Sequence, residues 1–126
     1  MDPIVREAEQ LLLGARDDSL PWEVRDAARE RAAELVPEIL AAGYLVETAG
    51  KTVGPREYPI YLRQTGETIT AVQQSPSYLE GPDIWEVTAE QAVALSQSYL
   101  RIRAPGEILS LRAVWSDLED QDVEAV

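Results

Sequence analysis

At 126 residues the chain can bury one core without staples, and it reads as a single α+β domain over residues 1–116 followed by an acidic flexible tail over 117–126. It has no cysteine and no histidine, which removes disulfides, thiolate chemistry, the usual general base near neutral pH and the Cys and His metal ligands together. Its 23 acidic and 11 basic residues leave a net charge of −12, which favours cations and basic protein surfaces and opposes contact with nucleic acid phosphates and anionic membranes.

The charge is uneven. Residues 1–43 carry ten acids and five bases, 44–76 three of each, 77–104 four and two, and 105–126 six and one, so a neutral middle lies between acidic ends. Lys51 is the single lysine, in a glycine-flanked loop, which leaves little room for Schiff-base chemistry. No stretch approaches the roughly 20 apolar residues of a membrane span, and Met1, Asp2, Pro3 lack the order of a signal peptide. The expectation is a soluble, cytoplasmic protein.

In chain order, Ile4, Val5, Ala8, Leu11, Leu12 and Ala15 form a helical stripe over Pro3 to Arg16, with Pro3 suited to the first turn. The short polar link Asp17, Asp18, Ser19 predicts a fold-back into a helical hairpin, with Ser19 capping the second helix and Trp22 clamping the turn. The second helix runs from Pro21 toward Gly43. Its apolar stripe is Val24, Ala28, Leu35, Val36, Ile39 and Leu40, and its charged face holds Asp26, Arg29 and Glu30, with Arg25, Glu34 and Glu38 at the margins. The pairs Asp26 with Arg29 and Arg31 with Glu34, three apart, are each worth about 0.2–0.5 kcal/mol if exposed. Pro37 cannot donate a helical bond and disfavours helix at Val36, so a kink or break is expected near Leu35.

Gly43 stops the helix, Tyr44 to Thr48 reads as strand, and Ala49 to Pro55 as loop. Glu57 to Arg63 is the next strand, with Tyr58, Ile60 and Leu62 on one side, and Tyr61 and Arg63 with Pro59 on the other. Pro59 points to a sheet edge or bulge. A Gln-Thr-Gly-Glu turn then returns the chain through Thr68 to Val72, completing an antiparallel three-stranded meander. Gln73 to Asp83 is a long crossover tacked down by Tyr78 and Leu79, and Ile84 to Val87 adds a short strand. Thr88 and Gln91 fit a capping box that opens a helix to about residue 101. Residues 106–118 match both a helical face and a strand alternation; few are β-branched, which favours a further C-terminal helix.

Chemistry-bearing motifs are absent: no phosphate loop, dinucleotide fingerprint or EF-hand spacing occurs. Only carboxylates are plentiful. Their clusters, Asp17 with Asp18 and Asp117 with Glu119 and Asp120, sit in hydrophilic connections where a raised pKa is not expected. The reading is therefore a non-enzyme with no catalytic residue, no cofactor and no metal.

The run from the second helix through Ala-Gly-Tyr-Leu, a glycine-containing loop, Tyr-Pro-Ile-Tyr-Leu and Thr-Gly-Glu loosely resembles a winged helix over about a quarter of the chain. In such transcriptional regulators a recognition helix leads into a strand and a basic wing. The resemblance implies DNA binding, with Lys51, Arg56 and Arg63 as the wing's cations. The acid balance argues against this reading.

Three Trp, five Tyr and no Phe mean that every aromatic carries a polar handle, the type enriched at interfaces. The function expected from these exclusions is a small acidic accessory, regulatory or inhibitory protein that binds another macromolecule, a protein with a basic surface above all, with homodimerisation open. The candidate partner-binding residues are Tyr61, Arg63, Trp22, Tyr78, Arg25 and Arg29. A small-ligand sponge or sensor is the further alternative. Its mark would be Tyr and Arg lining a pocket between helix and sheet.

Overall fold

The computed structural model describes residues 2–49, 51–53, 56–73 and 83–104, with side chains left aside over 51–57. The elements are α1 (Pro3–Ala15), α2 (Trp22–Glu34), α3 (Val36–Ala41), β1 (Leu45–Thr48), β2 (Lys51–Val53), β3 (Arg56–Tyr58), β4 (Ile60–Thr65), β5 (Thr68–Gln73), β6 (Asp83–Val87), α4 (Ala89–Ser96) and β7 (Leu100–Arg103). The protein is α+β. Helices cover one face of an antiparallel five-stranded sheet ordered β6-β5-β4-β1-β7, and β2 with β3 forms a separate two-stranded ladder.

Local chemistry explains the helical half. Asp2 caps α1 by accepting from the Ile4 amide at 2.9 Å, and Pro3 fills the first turn where its missing N–H is no loss. Leu35 separates α2 from α3, and Pro37 falls in the first turn of α3, so the proline that breaks the long pattern also starts the next helix. The expected break near Leu35 is thus present. The helix then closes in a Schellman arrangement: Gly43, at φ 94°, donates to the Leu40 carbonyl at 3.0 Å, and Tyr44 donates to that of Ile39 at 3.4 Å.

The short α3 is the keystone of the core. Val36, Ile39 and Leu40 are essentially inaccessible, and α3 touches α1, α2, α4, β1 and β4. Burial of such a side chain is worth about 1.5–3 kcal/mol relative to exposure. Opposite them, Val46, Ile60, Leu62, Ala71 and Leu100 supply the inner face of the sheet, joined by Val5, Ala8 and Leu12 of α1.

The sheet is larger than the expected meander. β1, β4 and β5 form it, but β6 pairs on β5 and β7 on β1, giving five strands. Lys51–Val53, expected as loop, is a strand on Arg56–Tyr58. Pro59 marks neither edge nor bulge. It is the break between β3 and β4, where a residue without a backbone donor ends one ladder and the chain enters the centre of another sheet. That crossing is closed by side chains: buried Thr48 donates its hydroxyl to the Ile60 carbonyl at 3.0 Å, and Gln73 donates to the Tyr58 carbonyl at 3.0 Å.

The β4–β5 hairpin turns at Gly66 and Glu67, with positive φ at the glycine alone, the pattern of a two-residue II′ loop. The capping box on α4 is complete, with Gln91 N–H to Thr88 Oγ1 at 3.1 Å and Thr88 N–H to Gln91 Oε1 at 2.9 Å. The helix is shorter than its stripe suggested. It ends at Ser96, whose hydroxyl turns back onto the Ala92 carbonyl at 2.8 Å, and Leu100–Arg103 leaves as a strand because β1 offers a free ladder. The ambiguous 106–118 segment, the 117–126 tail, and Tyr78 and Leu79 lie outside the described residues. No helix among the described residues is long and apolar enough to cross a membrane.

Candidate functional site

Three surfaces collect the residues singled out by the sequence. The first is the closed end of the α1–α2 hairpin. Its turn is held by Asp17, whose carboxylate accepts from the backbone N–H of Ser19 at 3.0 Å and from the Ser19 hydroxyl. These bonds hold the Asp17 carboxyl below its ordinary value, the hydroxyl bond contributing most and the amide bond next. Ser19 is thereby committed to the turn and does not cap α2, whose N-cap residue is Pro21 and which has no side-chain cap.

Trp22 does not clamp this turn. It is 64 % exposed, because α2 is fully covered only at Ala32 and Ala33 near its other end, so its first turn projects beyond the core. Leu13, near the end of α1, is also 64 % exposed, and Val24 48 %. Asp17, Asp18 and Glu23 accompany these apolar side chains at the same end of the hairpin, and the Asp18 side chain is almost fully exposed. The neighbouring cations are not free. Arg25 pairs with Asp18 at 3.4 Å, and Arg29 with Asp26 at 3.1 Å, as its three-residue spacing suggested.

The second surface is the sheet face turned away from the helices. Register sets Tyr61 opposite Glu47, and Arg63 in one row with Thr70 and Glu86. Glu47 is the hub: Tyr99 donates to its Oε2 at 3.4 Å and Arg103 Nη2 to its Oε1 at 3.2 Å. Desolvation, then the Glu47 charge and the hydrogen bond Tyr61 gives Glu47, push the Tyr61 hydroxyl above its ordinary pKa of 10.0. Tyr61 is therefore half-buried within a polar network. Arg63 is likewise engaged within the fold. Of the three cations in the winged-helix resemblance, Lys51 and Arg56 belong to β2 and β3, whereas Arg63 belongs to the five-stranded sheet.

The third surface has no local sequence signal. Two cavities adjoin between α1 and the segment that leads into β7, sharing Arg16 and Tyr99 as walls. One, about 420 Å³, is polar and lined by Glu9, Arg16, Tyr99, Arg101 and Ile102. The other, about 340 Å³, adds Leu12, Ala15, Arg29, Ser98 and Leu100. Both lie within the size range of small-ligand sites.

No protein-family model, curated protein or solved structure matches this chain. Among the described residues no group of three or more carboxylates is placed to hold a metal ion. Asp17 and Asp18 are exposed, so neither has the buried environment that raises a carboxyl for acid–base work.

Proposed function

We propose that this chain is a non-catalytic binding protein that docks on a basic protein through the closed end of the α1–α2 hairpin. The observation that carries this reading is Trp22, 64 % exposed in the first turn of α2, at the same end of the hairpin as exposed Leu13 and Val24. A tryptophan held on a helix loses little conformational freedom on docking and supplies a large contact area, the character of an interface anchor. The accompanying Asp17, Asp18 and Glu23, within a chain of net charge −12, select a partner whose apolar pocket is ringed by Lys and Arg. Regulation or inhibition of that partner, in the cytoplasm, would follow from occupying its basic surface.

The test is capture from host lysate with wild-type protein and with Trp22→Ala, eluting with increasing salt. The expected outcome is a basic protein held by the wild type, lost from the variant and released by salt. Truncation of an anchor of this kind costs about 2 kcal/mol or more in binding, at least a 30-fold weakening. Identical captured proteins with both baits would remove the hairpin end from the interface, and self-association lost with Trp22 would make the partner a second copy of this chain.

A further inference from the structure

We infer that the paired cavities beside β7 form a binding cleft for a small organic phosphomonoester, its phosphate held by Arg16 and Arg101 and its flat body laid on Tyr99. Four arginines of the described structure, Arg25, Arg29, Arg31 and Arg103, are each committed to a carboxylate within 3.4 Å. Arg16 and Arg101 have no such partner among the described residues, although the chain holds twice as many acids as bases, and both line the same 420 Å³ cavity. Two arginines that line one concave space without an ion-pair partner among the described residues suit a dianion, which a planar fork of N–H donors can hold in bidentate fashion.

The cleft also sorts the rest of the ligand. Leu12, Ala15 and Leu100 make the second cavity's wall apolar, and Tyr99 lines both spaces, so a flat group attached to the phosphate has an aromatic residue beside it. Arg29 also lines that wall, but it is occupied by Asp26 at 3.1 Å and leaves the phosphate to the other two arginines. Glu9 shares the polar cavity with them. As an acceptor it suits a ligand hydroxyl and disfavours a second anionic group at that position. The net charge of −12 repels anions at a distance, so binding depends on local contacts and not on long-range steering. The cleft sets Tyr99, Arg16 and Arg101 between α1 and β7, and its ligand does not depend on the docking role of Trp22.

Calorimetric titration of the full chain with phenyl phosphate and with AMP tests the inference, with inorganic phosphate and adenosine as half-ligand controls. Saturable one-to-one binding is expected for at least one of the two phosphomonoesters, at least about tenfold tighter than for either control. Preference for AMP would assign a nucleoside body and preference for phenyl phosphate a simple aryl one. Arg16→Gln and Arg101→Gln should each weaken binding by about tenfold or more, the loss of one charge-assisted contact. Both side chains are exposed, so these variants should keep the wild-type thermal midpoint. Trp22→Ala should leave the affinity unchanged, which separates failure of this inference from failure of the docking role. Absence of binding at millimolar concentration, binding no tighter than that of inorganic phosphate, or affinity that survives both Arg substitutions would overturn it.

Discussion

Thr48→Val probes the junction on which the sheet depends. Thr48 ends β1, is 1 % exposed, and gives its hydroxyl to the Ile60 carbonyl at 3.0 Å, where the β1–β4 ladder has stopped at Glu47 and Tyr61. Valine has nearly the same shape, so no cavity opens, but the Ile60 carbonyl loses that donor in a site closed to water. An abandoned buried acceptor costs about 1–3 kcal/mol, and the extra buried methyl of valine returns up to about 0.8 kcal/mol. The net loss expected is about 0.2–2 kcal/mol, equivalent to a fall in melting temperature of roughly 1–8 °C for a chain of this length. Urea denaturation followed by Trp fluorescence reads it directly, as a lower midpoint with an unchanged slope. An unchanged or higher midpoint would show that the Thr48 side chain does not close the junction and that β4 is held at this end by other means.

Gly14→Ala should stabilise the fold by about 0.4–1 kcal/mol, because the position lies inside α1 and an added Cβ would meet only Ala28 Cβ at 4.0 Å, an ordinary contact; thermal unfolding at fixed concentration measures it, and a lower midpoint would mean that α1 and α2 approach more closely than this. Alkaline titration should find the Tyr61 hydroxyl titrating late, assigned by its absence in Tyr61→Phe. Since the folded value lies above the unfolded one, Tyr61 contributes stability that is full below pH 10.0 and is lost as pH rises through its folded pKa. Glu47→Gln should move this titration back toward the ordinary value without reaching it, because desolvation is the largest cause and survives the change. A Tyr61 titration unaltered by Glu47→Gln would show that the network does not couple the two residues.

The helical half was legible because its signals are local. A 3.6-residue stripe, Pro37, Gly43 and the Thr88–Gln91 box each act within one or two turns, and each appears where the spacing places it. The strands were less legible where pairing overrides the local pattern. Lys51 to Val53 stands between glycines and becomes a strand only because β3 returns alongside it. Tyr99 and Leu100 continue the α4 stripe in sequence, but Leu100 pairs with Thr48 instead. Trp22 was visible as a candidate and misplaced as a clamp, since nothing local shows that α2 projects past its covering elements. Arg16 and Arg101 carried no signal at all. They lie far apart in sequence, and only the β1–β7 pairing brings them to one cleft.

The docking end and the cleft share the last turn of α1. Leu13 extends the apolar surface of the hairpin end, and Arg16, the C-cap residue of the same helix, lines both cavities. Their side chains therefore respond to one segment of backbone. Arg16 is also the nearest cation in sequence to Asp17 and Asp18, so at the hairpin end it offsets part of the charge that selects a basic partner. If both proposals hold, an anion on Arg16 would cancel that offset and strengthen the attraction for the partner, and linkage would require the docked partner to strengthen the hold on the anion by the same factor. Exposed charges a few residues apart couple by less than about 1 kcal/mol and are screened by salt. On the two proposals above, the two occupants should then cooperate weakly at low ionic strength and act independently at high ionic strength.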